Sequence, residues 1–215
     1  MVQTQPRSRA QARREAAAQM AREDILDAAE QEFMAHGFRA ATMSAIARKA
    51  GFTAASLYTY FDSKEAIFKA IGERVMERLS QVLATPMDDD LPVREGLEVR
   101  VRALLEFIDV RRQSIKMFFD LQWGVEVDRD PDEPDGTQMC ADWFQAYIEA
   151  SGLPSADFSA EVLTAALMGI IDGFVKRSMA QPDRDSSLVD QTDLIVRLFL
   201  GGALQSAASM TKDPS

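Results

Sequence analysis

The 215 residues hold one cysteine, Cys140, and one histidine, His36. A single thiol cannot form an internal disulfide, and one thiol with one imidazole does not furnish a structural zinc site. The residues of catalysis are as scarce. There is no glycine-rich phosphate loop, no paired His/Cys cluster and no nucleophile elbow. Neither an enzyme nor a bound metal or cofactor is therefore expected. His36 stands beside Gly37 at the end of a helical pattern, where an imidazole serves the last carbonyls as a cap. Long apolar runs are lacking too. The greasiest stretch, Val162–Val175, is broken by Asp172 and bounded by Glu161 and Lys176, short of the roughly 20 apolar residues of a membrane span. The first twenty residues are polar and basic, without the apolar centre of a secretion signal. The expectation is a chain that works in solution in a reducing cytoplasm, with no membrane partner.

Strand-like alternation and internal repeats are also missing. What remains is helical periodicity, and an apolar fraction of 47% that suffices for a sizeable core. The predicted fold class is all-α, with about nine helices. Residues 1–20, rich in Arg, Ala and Gln, read as a flexible basic arm or a frayed helix. Ile25, Leu26, Ala29 and Phe33 give one apolar face to a helix over 22–36, which Gly37 ends. Thr42 or Ser44 caps a short helix to about Ala50, and Thr53 caps a third over about Ala54–Tyr60. Ser63 caps a fourth that runs to about Leu83. Beyond the loop at Pro86–Pro92, helices are predicted over about 93–111, 114–122, 138–150, 158–180 and 186–208. The acidic, proline-bearing segment Asp128–Gly136 reads as a solvated loop. Four segments follow: an arm over 1–20, a helix-turn-helix domain over 21–80, a helical domain over 81–210 and a polar tail over 211–215.

The net charge of −10 looks unfavourable for a nucleic-acid binder, but it is unevenly spread. Residues 1–14 carry +4, residues 1–70 carry +2 and residues 71–215 carry −12. Screening confines the attraction to about 10 Å, so a basic front on an acidic body still meets phosphate. Ordinary surface drift explains the charge pattern equally well.

The informative stretch is Thr42–Phe61. Two short helices hinge on Gly51, with Ile46, Ala47, Ala50, Leu57 and Phe61 turned inward. The small Ala47 and Ala50 let the helices cross closely. The second then projects, and a major groove about 12 Å wide admits it. The series Ile25, Leu26, Ala28, Ala29, Phe33, Gly37, Phe38, Thr42, Ile46, Ala47, Ala50, Gly51, Leu57, Tyr58, Tyr60, Phe61, Ser63, Lys64 and Glu65 closely resembles the TetR family of helix-turn-helix repressors. The resemblance covers about residues 22–70. Beyond it, only an all-helical pattern with Asp172 and Gly173 in a long penultimate helix is similar.

The resemblance implies phosphate contacts from Thr42, Tyr58, Tyr60 and Lys64, and base reading from Thr53, Ala54, Ala55 and Ser56. Two alanines donate no hydrogen bond to guanine but pack on thymine methyls, so part of the specificity is expected from thymine and DNA shape. Other readings stay open: Tyr58 and Tyr60 as packed aromatics, Arg48 and Lys49 as solvated side chains, and the arginine arm as either a minor-groove reader or a loosely attracted tail.

Two wide apolar faces close the chain. The family places its dimer interface on such a pair, which implies Leu163, Leu167, Ile170, Phe174, Ile195, Leu198 and Phe199 between two copies; filling of the monomer core is the alternative. The family also encloses an inducer pocket in the middle region. This implies a lining of Phe107, Met117, Phe118, Leu121, Trp123, Met139, Trp143, Phe144, Tyr147 and Phe174, again with plain core as the alternative. Gln122, Trp123 and Tyr147 would supply donors, and Asp120 or Glu149 would suit a cationic ligand. The implied partners are double-stranded operator DNA, a second copy and a small-molecule inducer that shifts the spacing of the reading helices through the fourth helix. A DNA-binding regulator without a small ligand, controlled by a protein or acting as an activator, is the rival reading.

Overall fold

The computed structural model describes residues 9–88, 90–122, 135–154, 158–180 and 187–209, with side chains given except at 118–122 and 202–209. Among these residues there are nine α-helices and no strand. They are α1 (Arg9–His36), α2 (Met43–Lys49), α3 (Ala54–Leu57), α4 (Lys64–Leu83), α5 (Val93–Val110), α6 (Arg112–Gln122), α7 (Gly136–Ala150), α8 (Ala160–Ala180) and α9 (Thr192–Ser209), with a 3-10 turn over Leu188–Gln191 before the last. None of the described helices is long and apolar enough to cross a membrane.

The helix starts differ from the sequence reading where a local bond decides. Helix α1 takes in residues 9–20, so this part of the segment read as a flexible arm or a frayed helix is helical. Alanine at 10, 12, 16, 17, 18 and 21 favours the helix, and Gln11 and Gln19 donate one turn onward to Glu15 and Glu23 at 3.1 and 3.0 Å. Asp135 caps α7 two residues early, its carboxylate accepting from the Thr137 N–H at 2.9 Å. The last predicted helix is split, because Ser187 caps a 3-10 turn and the Thr192 hydroxyl donates back to the Val189 carbonyl at 2.7 Å.

The chain divides into two compact units, Met1–Arg74 with Met117–Val127, and Val75–Lys116 with Asp128–Ser215. This division passes through α4, between Arg74 and Val75. The first unit closes around Ile25, Phe33, Ile46, Leu57, Ile67 and Ile71. Phe33, Phe38 and Phe68 meet at tilted and edge-on angles with centroids 5.1–6.3 Å apart, the geometry that aromatic quadrupoles favour. Arg74 of α4 pins three carboxylates of α1: Asp27 at 2.6 Å, Glu30 at 2.9 Å and Glu23 at 3.1 Å. Burial disfavours its charge, but hydrogen bonds to Asp27 and Glu23 and the field of Asp27 and Glu30 more than offset this and raise its pKa.

The second unit packs α5, α7, α8 and α9 around Leu97, Leu105, Phe144, Ile148, Leu167 and Ile195. Gly96 is required here, since a Cβ would lie 2.8 Å from Cζ of Tyr147. The Tyr147 ring carries the buried Arg100 guanidinium 3.7 Å from its centroid, and its hydroxyl donates to the Val93 carbonyl at 3.2 Å. At the α5–α6 corner, Asp109 accepts from Arg112 at 2.6 Å, from the Ser187 hydroxyl and from the Val189 N–H at 3.4 Å.

Candidate nucleic-acid interface

The hinge of the motif is built from three local devices. Gly37 and Gly51 hold φ of 78° and 77°, a backbone that only glycine takes without strain. Thr42 caps α2, its Oγ1 accepting from the Ala45 N–H at 3.2 Å, and Thr53 caps α3 by accepting from the Ser56 N–H at 3.1 Å. Ser63 caps α4 through the Ala66 N–H at 3.1 Å. Ile46, Ala47 and Leu57 are buried, which fixes α2 and α3 against the core. After Leu57 the chain tightens, with Thr59 and Tyr60 bonded to carbonyls three residues back at 3.1 and 2.9 Å.

This anchoring leaves one side of the motif open. Thr42, Thr53, Ala55 and Tyr58 are exposed, Tyr58 by 52%, while Ala54 and Ser56 are half-buried. Thr53 Oγ1 and Ser56 Oγ lie 2.9 Å apart, so the two hydroxyls form a fixed pair on the outer face of α3. Tyr60 is half-buried, its ring edge-on to Phe52 at 5.9 Å. Arg48 is exposed, and Lys49 approaches Glu32 at 3.9 Å.

Lys64 has partners that its sequence position does not announce. Its ammonium donates to the carbonyls of Phe38, Arg39 and Ala41 at 2.9, 3.1 and 3.2 Å, and lies 4.8 Å from the centroid of the Phe38 ring. An ammonium has three protons, and all three are taken. Lys64 therefore clamps the turn between α1 and α2. Nothing in the spacing revealed this, because the partners lie 23 to 26 residues earlier.

The implied dimer set is also corrected. Leu163, Leu167, Ile195 and Phe199 are buried within their own unit, and Ile170 and Phe174 are half-buried against the same core. Only Leu198, 51% exposed, faces outward. The outward side of α8 carries Val162, Ala166, Gly169 and Gly173, and that of α9 carries Leu194, Leu198 and Gly201. Their spacing of four, three and four residues makes a stripe. A Cβ added at Gly169, Gly173 or Gly201 would meet nothing within 4 Å.

The implied ligand set divides. Phe107, Trp143, Phe144, Tyr147 and Phe174 gather in the second core, with the Trp143 and Phe144 rings 5.1 Å apart. Met139 is half-buried. Met117 is corrected, since it packs in the core of the first unit. Trp123 and the side chains of Phe118, Asp120, Leu121 and Gln122 lie outside the described residues. Glu149 is exposed and accepts from Gln145 at 2.9 Å, and the half-buried Asp172 pairs with Lys176 at 2.7 Å.

Residues 25–71 match the family model of bacterial regulatory proteins of the tetR family. An uncharacterized HTH-type transcriptional regulator of Bacillus subtilis, YhgD, is 32% identical over 94 residues, 44% of this chain. The match spans about half of that relative, 49% of its length. A second from the same organism, YdgC, is 28% identical over 85% of this chain and 92% of its own. Among solved structures, the transcriptional regulator FadR of Bacillus subtilis in complex with stearoyl-CoA superposes with a TM-score of 0.61 at 18% identity. That superposition covers 84% of this chain and 98% of FadR. At that identity the likeness shows the fold.

Proposed function

We propose that the chain is a TetR-family transcriptional regulator, a homodimeric repressor of a palindromic operator that is released by a small, largely apolar or aromatic inducer. The observation that carries the DNA reading is the stance of α3: Leu57 is wholly buried, while Ala55 and Tyr58 stand exposed beside the Thr53–Ser56 hydroxyl pair. Thr42, Tyr58 and Tyr60 take phosphates and set the register, and Thr53, Ala54, Ala55 and Ser56 meet base edges. Lys64 acts indirectly, by holding the turn ahead of Thr42. With two alanines on the reading face, thymine methyls and duplex shape carry much of the specificity.

The second copy covers the outward stripe of Val162, Ala166, Gly169, Gly173, Leu194 and Leu198, whose small residues allow close helix approach across a two-fold. The inducer enters the cluster of Phe107, Trp143, Phe144, Tyr147 and Phe174. The stearoyl-CoA complex of FadR supports a ligand with an apolar body.

Selection from a random duplex library with the purified chain tests the reading. A two-fold symmetric site is expected, with half-sites about 10 base pairs or a multiple of it apart. Failure to bind any duplex at low salt ends it. Inducer and operator must then weaken each other by the same factor, typically about 1–3 kcal/mol. A ligand that binds free and operator-bound protein equally removes the inducer part.

A further inference from the structure

We propose that the first three turns of α1, Arg9–Met20, form a second DNA-contact element that grips backbone phosphates beyond the half-site read by α3. The proposal rests on the DNA-binding reading above and adds to it a surface outside the helix-turn-helix.

Every residue from 9 to 20 is exposed, and the buried residues of α1 begin only at Ile25. Continued toward the N-terminus at 100° per residue, the apolar face of α1 would fall on Ala18, Glu15 and Gln11. That face offers an apolar partner only the small Ala18. The segment instead carries Arg9, Arg13 and Arg14 against the single acid Glu15, which Gln11 engages. Its charge therefore complements a polyanion, whereas residues 71–215 carry −12.

Arg22 fixes where the segment starts. Its Nη1 donates to the Tyr60 carbonyl at 3.3 Å, and its guanidinium lies 4.2 Å from the centroid of the Phe61 ring. The extension thus leaves the domain beside the turn that carries Tyr58 and Tyr60. At 1.5 Å per residue, Arg14 stands about 12 Å and Arg9 about 20 Å along the axis from that anchor. Some 20 Å of duplex presents about twelve phosphate charges.

Helical form decides which part of the duplex is met. A helix about 10–12 Å across does not enter a minor groove about 6 Å wide. Arg9 and Arg13 lie about 40° apart around the helix, with Arg14 about 100° further on. Charges spread around a rod suit the backbone, where contacts position without reading sequence.

The test compares full-length wild type with the triple variants R9Q/R13Q/R14Q and R9K/R13K/R14K, on the selected operator with 10-base-pair flanks and on one trimmed to the half-site edges. Anisotropy titrations from 50 to 200 mM salt give the slope of log affinity against log salt. Each lost contact flattens the slope by about 0.9, or about 3.5-fold in affinity across that range. The glutamine variant is expected to flatten it by about 2–3 per protomer, the lysine variant to keep it, and the trimmed duplex to abolish the difference. An unchanged slope in the glutamine variant, or a difference that persists on the trimmed duplex, overturns the proposal while leaving the DNA reading intact. A wild type that binds no duplex overturns both.

Discussion

Replacing Lys64 with methionine keeps the apolar stem and deletes the ammonium that holds the carbonyls of Phe38, Arg39 and Ala41. Hydrogen bonds to a charged group contribute about 1.5–3 kcal/mol each when isolated, and an exposed cation–π contact about 0.5–1 kcal/mol. These do not add here. Lys64 is half-buried and desolvated only once, and Arg39 and Ala40 are exposed, so water reaches part of the turn. A net loss of about 2–3 kcal/mol is expected. At a urea dependence of about 2 kcal/mol per molar, the unfolding midpoint falls by about 1 M at fixed protein concentration. The salt slope of operator binding is the second readout. A residue that clamps a turn leaves it unchanged, apart from a uniform weakening as Thr42 loses its placement. A residue that pairs with phosphate flattens it by about 0.9 per protomer. An unmoved midpoint with a flattened slope would refute the clamp.

Three further outcomes follow from burial and charge. Leu198→Glu is expected to yield a folded monomer in sedimentation, because Leu198 is 51% exposed in the single chain, whereas Leu167→Ala empties a fully buried site and costs about 2–5 kcal/mol in denaturant unfolding; a dimeric Leu198→Glu protein refutes the assigned face. Burial pushes the Asp109 carboxyl up, but the Ser187 hydroxyl, Arg112 and the Val189 N–H pull it further down, so its folded pKa lies below 3.8. The stability it contributes is present above about pH 4 and lost as pH falls through the folded value; Asp109→Asn should remove that part of the acid limb in midpoints measured from pH 6 to 2.5. Burial, with the Asp135 charge, pushes the Cys140 thiol up to about 12. Its contribution is complete below about pH 8.5 and lost as pH rises toward the folded value. Native protein should therefore resist thiol reagents at pH 8 and react fully in urea.

How legible each feature was depended on its range in sequence. Thr42, Thr53 and Ser63 cap N–H groups three residues ahead, and Gly37 and Gly51 take their positive φ from the local turn, so spacing alone placed them. The inward set Ile25, Phe33, Ile46, Leu57 and Phe61 followed from a single apolar face. Lys64 and Arg74 find their partners 23 to 51 residues away, and no local pattern encodes such a pair. Met117 misled for a related reason. It stands among other large side chains in sequence, yet packs with the first core, because α6 belongs to both units.

The phase of α8 and α9 escaped the sequence for a different reason: both helices are apolar on two sides. Periodicity finds a face only where the opposite side is polar. Side-chain volume carries the remaining signal. On α8 the branched Leu163, Leu167, Ile171 and Val175 are inside, while Ala166, Gly169 and Gly173 are outside. A core needs volume to fill, and a helix that meets its own copy across a two-fold needs closeness. On the function proposed here, that back-to-back arrangement has a mechanical consequence. A guest admitted beside Phe144 and Phe174 presses on the inner side of the helix whose outer side meets the second copy, one helix diameter of about 10 Å away. Close-packed interiors transmit such displacement instead of absorbing it. On that reading the same helix carries occupancy of the apolar cluster directly to the face that the second copy covers.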